Sequence, residues 1–205
     1  MLCLSLLLLW LYKFPFLGLT YFWDESWSYG VAINKVAEGT PSLLPSSLSP
    51  ELSRGHPLMY YFINAIVAKT FGFSPFVMHT FSLLIASAFL IAFFFMLLRF
   101  SNPAFALLGS LLLLTQEVFI VQSSFMLPEV FISLLVMTTI FLLVTDRIFL
   151  YIISATLLVL TKESGLVVAT ATGIVYAVQL LRQQYSEKKY SLTTLLKKVC
   201  RYFFP

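Results

Sequence analysis

Apolar residues come in long runs along this chain, and polar residues gather at the short junctions between them. The first run, Leu2 to Tyr12, has neither the basic start nor the small-residue cleavage site of a signal peptide, so it reads as part of a retained first span within residues 1–22. It reaches Lys13 early; either the helix continues past Pro15 toward Tyr21 or further residues precede it. Residues 23–73 break the pattern. Ser26 to Gly39 predicts a short helix with Ile33, Val36 and Ala37 on its apolar side and Gly39 as its stop. Thr40 to Gly55 reads as a loop, and Pro57 to Phe71 as a second short helix closed by Gly72, with Tyr60 and Tyr61 as interface anchors.

From residue 74 to 182 the runs lengthen into five spans. Ser74-Pro75 opens a helix to about Phe100, Asn102-Pro103 one to about Val121, and Pro128 one to Thr145, each with a helix-start residue in place. After an Asp146-Arg147 turn, Ile148 to Leu160 is only about 13 residues, near 20 Å as a helix against a hydrocarbon core of about 30 Å, so its far end is expected to be recessed. Leu166 to Leu181 is the sixth span. Residues 183–205 form a basic tail or the start of a further span, with an amphipathic pattern over Ser191 to Phe203. The expected fold is therefore all-α: a polytopic bundle of about six to seven transmembrane helices, with two juxtamembrane helices in the first extracytoplasmic loop.

Composition agrees, since 60% of the residues are hydrophobic and 11% charged, against about a quarter charged in soluble domains. Six of the thirteen basic residues lie from Arg182 onward, which by the positive-inside rule puts the tail in the cytoplasm. Counting back, Arg99 and Arg147 fall inside, while Asp24, the Gln122 to Glu129 junction and Lys162 fall outside. The basic residues are not interleaved with aromatics in a patch, which argues against nucleic acid as a partner. Cys3 and Cys200 lack metal-ligand spacing and fall on the reducing side, so both are expected to be free thiols.

The outside face collects Asp24, Glu25, Arg54, His56, Gln122, Glu129, Lys162 and Glu163. Charges beside lipid are costly without a partner or a task, so these are candidates for function. Simpler accounts exist for each. Asp24 and Glu25 suit a helix N-terminus, Glu129 a helix start beside Pro128, and Lys162 with Glu163 a neutralising pair at a turn. His56 fits a loop cap, and His79, among Phe and Leu residues, a satisfied packing histidine. Glu117, near the outer end of the third span, is expected to snorkel or pair.

Four segments in order, Trp23-Asp24-Glu25, Gly55-His56-Pro57-Leu58-Met59-Tyr60-Tyr61, Leu127-Pro128-Glu129 and Thr161-Lys162-Glu163-Ser164-Gly165, resemble the N-terminal half of the GT-C glycosyltransferases. The nearest branches are the protein O-mannosyltransferases and the aminoarabinose lipid A transferases, and the resemblance covers about residues 10–182. It implies inverting transfer of a sugar from a polyprenyl-phosphate donor, dolichyl- or undecaprenyl-linked, to a hydroxyl of a protein, lipid or glycan. It also implies a multi-pass protein, expected here in a prokaryotic plasma membrane, with an extracytoplasmic active site. On this resemblance Asp24 is the catalytic base. Glu25 and Glu129 orient the acceptor, hold a divalent cation with Asp24, or act on the base by like-charge proximity. Lys162 and Arg54, supported by His56, bind the lipid phosphate. Where the aminoarabinose branch has a Glu before Lys-Pro-Pro, this chain has Gly55-His56-Pro57. Family members are longer, so an end at Pro205 is expected of a fragment or of a chain completed by a partner. A non-catalytic membrane subunit and a transporter or flippase using the outward acids are the alternatives, although no internal repeat favours a transporter.

Overall fold

The structure, a computed structural model, describes residues 1–186; the amphipathic pattern at Ser191 to Phe203, the basic tail and Cys200 lie outside the described residues. Among the described residues every regular element is helical, in agreement with an all-α fold. The first half comprises α1 (Leu2–Lys13), α2 (Gly30–Glu38), the one-turn α3 (Pro50–Ser53) and α4 (Met59–Phe71). The second comprises α5 (Pro75–Phe100), α6 (Pro103–Leu114), α7 (Glu117–Gln122), α8 (Glu129–Val144), α9 (Ile148–Thr161) and α10 (Ser164–Ser186). Two helical stretches, Pro75–Phe100 and Ser164–Arg182, are long and apolar enough to cross a membrane; the other apolar helices are shorter.

Local chemistry explains most boundaries. The Ser74 hydroxyl accepts the Val77 amide at 3.4 Å, and Asn102 Oδ1 accepts those of Ala104 and Phe105 at 3.1 Å, with Pro75 and Pro103 each in the first turn. These caps satisfy amides that have no partner inside the helix. Gly39 and Gly72 follow α2 and α4, and Gly72 adopts φ 95°. The single helix expected from Pro103 to Val121 is instead broken. The Thr115 amide is shared between the carbonyls of Leu111 and Leu112, the Gln116 amide bonds to that of Leu113, Gln116 turns extended (ψ 116°), and Glu117 opens α7 in its first turn. Glu117 is consequently exposed at a new helix start rather than three turns into a long one.

α8 packs against α5 and α9, α9 against α10, and α5 against α6, while α1 lies along α5 and α6. Hydroxyl pairs tie the second half together, Thr139 to Ser154 at 2.8 Å and Tyr151 to Thr172 at 3.1 Å. In the first half, α2 crosses α4, and Tyr29, Ile33, Leu58, Tyr60, Tyr61 and Met126 form the core beneath the 23–73 segment. Tyr60 and Tyr61, expected as interface anchors, are almost wholly buried there, because α2 folds across α4 and covers them.

Candidate functional site

The two adjacent carboxylates part company. Trp23 has a left-handed backbone (φ 50°), and its carbonyl accepts the Ser26 amide at 3.0 Å and the Ser26 hydroxyl at 2.9 Å. A π-helical turn over Glu25–Tyr29 follows, closed by the Gly30 amide on the Glu25 carbonyl. Such wide turns inside helices are common at functional sites. A Cβ on Gly30 would collide with that carbonyl oxygen, so this junction requires glycine. Successive helical side chains diverge by about 100°, which sends Asp24 outward and Glu25 inward.

Glu25 has no exposed surface. Its Oε2 accepts the Phe22 amide at 3.1 Å, and its Oε1 accepts the Met126 amide at 2.6 Å and lies 3.0 Å from Nε2 of buried His79. His79 Nδ1 is 3.0 Å from the Leu17 carbonyl, which only accepts, so that nitrogen carries a proton. Both Glu25 oxygens are bonded to donors of the fold and Glu25 does not line the Asp24 pocket, so the structure separates the two neighbouring carboxylates instead of joining them at one site. Among the described residues no three His, Cys, Asp or Glu side chains are grouped to hold a metal ion. Asp24, Glu25 and Glu129 are not gathered into one such group.

Asp24 is half-buried at the N-cap position of the π turn, yet its side chain makes no cap bond. Among the described residues it has neither a hydrogen bond nor an ion pair. It lines a pocket of about 370 Å³ with Trp23, Trp27 and Arg54. Arg54, the residue after α3, is likewise left-handed (φ 53°). Two bulky residues in this region on the wall of one pocket are a costly arrangement of a kind that gathers at functional sites.

The other predicted residues form two pairs. Lys162 Nζ approaches Glu129 Oε1 at 3.3 Å, and His56 Nδ1 approaches Glu163 Oε2 at 2.8 Å. The turn pairing of Lys162 with Glu163 is thus replaced by two pairings across the fold. Lys162 is extended between α9 and α10 (φ −156°, ψ 148°), which turns the two neighbours to different partners. Bonding to its own amide and to His56 holds the Glu163 carboxyl below the usual glutamate range.

Tyr29 stacks on Tyr61 at 5.6 Å between ring centroids and meets Tyr60 edge-on at 5.7 Å. Burial raises the Tyr29 hydroxyl well above its ordinary value, and Tyr61, Glu129, Asp24 and Glu163 raise it further. Burial pushes Tyr61 up to about 12, against the pull of Arg54 and with the help of Glu163. Asp24, Glu129 and Glu163 therefore come from three separate stretches to act on one phenol. The Tyr61 hydroxyl and Glu129 Oε2 are buried and have no hydrogen-bond partner among the described residues.

The structure thus groups Asp24, Arg54, His56, Glu129 and Lys162 about the tyrosines and removes Glu25 to the interior. Sequence reasoning overlooked the His79 link to Glu25, for which the only signal was an imidazole in an apolar helix, a group that requires a buried polar partner. It also overlooked Tyr29, whose part depends on contacts far apart in the chain. Chemically, the site offers an uncommitted carboxylate able to accept a hydroxyl proton, a guanidinium with no ion pair among the described residues, and a lysine and a histidine that an anion reaches by displacing Glu129 or Glu163. No family model, curated protein or solved structure matches the chain.

Proposed function

We propose that this chain is a multi-pass membrane glycosyltransferase of the GT-C type. It moves a sugar from a polyprenyl phosphate to a hydroxyl acceptor at the extracytoplasmic face of a prokaryotic plasma membrane. The observation that carries the reading is the uncommitted Asp24 carboxylate beside Arg54, in the electrostatic neighbourhood of Glu129 and Glu163. Two membrane-length apolar helices support the setting, as do the exposed Leu166, Val167 and Ile174 of α10 and Phe76, Leu84 and Phe95 of α5, which suit lipid. The six-to-seven-span bundle belongs to this proposal: α1, α6 with α7, α8 and α9 complete it as short, partly recessed spans.

In the reaction, Asp24 takes the acceptor hydroxyl's proton as that oxygen attacks the anomeric carbon from the face opposite the phosphate. The carbon–oxygen bond to phosphate breaks, its electron pair stays on the phosphate, and configuration inverts. Arg54 meets the charge that grows on the leaving phosphate; Lys162 and His56 join it once the phosphate competes for their carboxylate partners. Glu129 positions Lys162, and Glu25 positions the turn that carries Asp24.

The test is transfer by the full chain in proteoliposomes, supplied with undecaprenyl-phosphate sugars and a panel of hydroxyl acceptors. Asp24→Asn is expected to lower turnover by about 10²–10⁴-fold while the protein stays folded; undiminished transfer would overturn the assignment of the base. Single cysteines at positions 47 and 186 are expected to label from opposite sides of the membrane, and same-side labelling would overturn the topology.

A further inference from the structure

Two charges of opposite sign stand on neighbouring helices, each without a counter-ion among the described residues. Lys13, at the end of α1, is only 6% exposed. Its ammonium donates to the Val121 carbonyl at 3.3 Å and lies 5.9 Å from the centroid of the Tyr12 ring, so one carbonyl serves three donors. Glu117, at the start of α7, is exposed and makes no side-chain hydrogen bond among the described residues. A buried lysine without an anion and an acid beside lipid are both costly. Glu117 and Val121 are one turn apart on α7, so the carboxylate and the carbonyl that holds the ammonium share a side of that helix, about 6 Å apart along its axis. The surface around them is apolar and exposed: Leu8 and Tyr12 of α1, Leu108 of α6, and Val118 and Val121 of α7. Lys13 lines a pocket of about 400 Å³ whose rim includes exposed Tyr12, Leu19 and Val121, which gives an anion from outside a way to the ammonium.

We infer that this face joins two copies of the chain about a two-fold axis, with Lys13 of each copy paired to the partner's Glu117. A two-fold axis sets one patch against itself, so a patch that carries an unpaired cation beside an unpaired anion is complementary to its own copy at both charges. A lipid anion or an unrelated helix bearing one acid would neutralise Lys13 and leave Glu117 as it is; a second copy answers both. With the axis along the membrane normal every residue keeps its depth, and a lysine and a glutamate side chain together span an offset of about 6 Å. The common depth depends on the membrane reading above; the charge pairing does not. Each charge also has a local account, since a cation suits the last turn of α7 and an acid its first.

Light scattering of the full chain in detergent, over a range of concentrations, separates these accounts. Wild type is expected to dimerise. Lys13→Glu alone and Glu117→Lys alone set like charges against each other, and each is expected to raise the dimer Kd about 100-fold or more. An equimolar mixture of the two variants is expected to recover association, because every mixed pair then meets an opposite charge at both contacts; neither a helix dipole nor a lipid predicts that recovery. Wild type that stays monomeric throughout would overturn the pairing, leaving Lys13 to a lipid anion or to another protein. So would a single reversal that still dimerises, or a mixture that stays apart. Should Lys13→Glu fail to fold, judged by circular dichroism, Glu117→Lys alters only an exposed position, and unchanged association there would be equally fatal. Because the readout is association, its failure leaves Asp24-dependent transfer standing, and a failure of transfer leaves the pairing standing.

Discussion

Glu25→Ala is the sharpest perturbation the structure offers, because the resemblance treats this carboxylate as catalytic and the fold treats it as interior. Truncation strands two buried groups, the Met126 amide and His79 Nε2, and takes the acceptor from the partly buried Phe22 amide. Each orphaned buried donor costs about 1–3 kcal/mol, and breaking a buried charged pair from one side about 3–5 kcal/mol, so the expected loss is about 3–5 kcal/mol. That is a large part of a typical stability of about 5–15 kcal/mol. Glu25→Gln retains the shape, but its amide nitrogen must face either the Phe22 or the Met126 N–H, so it loses about 1–3 kcal/mol through a single mismatch. Melting in detergent, followed by far-ultraviolet circular dichroism, should rank wild type above Glu25→Gln above Glu25→Ala. At about 2–4 °C per kcal/mol for a chain of this size, the alanine variant should melt roughly 10 °C lower. An alanine variant within about 1 kcal/mol of wild type, no more than the least cost of one stranded buried donor, would refute the reasoning. If it melted normally and lost transfer, Glu25 would belong at the chemistry after all.

Gly30→Ala drives a Cβ into the Glu25 carbonyl and should open the π turn; loss of transfer with a lowered melting temperature is expected, whereas Gly39→Ala, whose added Cβ has ordinary room, should show far less. The ion pair of Lys162 and Glu129, both partly exposed, should give a coupling of only about 0.2–1 kcal/mol in a double-mutant cycle, and a value several times larger would mean the pair is more enclosed than described. Tyr61 titrates near 10.0 when unfolded and at about 12 in the fold, so its contribution is complete below pH 10 and is lost as pH rises from there through about 12. At 1.36 kcal/mol per pH unit the loss is at most about 2.7 kcal/mol. Comparing alkaline denaturation of wild type with Tyr61→Phe should show a steeper fall for wild type in that window, and identical curves would contradict it.

Much of the helical grammar was legible because it is local. Ser74, Asn102, Gly39 and Gly72 act within a turn of their own positions and appear where their chemistry predicts. The break at Thr115 has neither proline nor glycine; its mark in the sequence is the polar Thr115-Gln116-Glu117 step, which interrupts the apolar run and is short enough to pass for part of one span. The candidate site was legible as a set of polar junctions but not as a set of pairings. Lys162 and Glu163 are neighbours in sequence, yet their partners lie 33 and 107 residues away. The roles of Asp24 and Glu25 depend on one degree of freedom, the helical rotation between them, and on His79 54 residues along the chain, which no local pattern encodes. Tyr60 and Tyr61 were misread because aromatic rings beside a membrane suit its interface as well as they suit a core, and only the covering by α2 decides.

Left-handed backbone at Trp23 and Arg54 sets a limit on how this protein can be improved. Glycine or asparagine at either position would relieve about 1–2 kcal/mol of conformational cost. Any search that rewards thermal endurance alone will therefore drift toward those residues. Each such gain would strip the Asp24 pocket of an indole or of its guanidinium, so hardiness and activity are set against each other at these two positions.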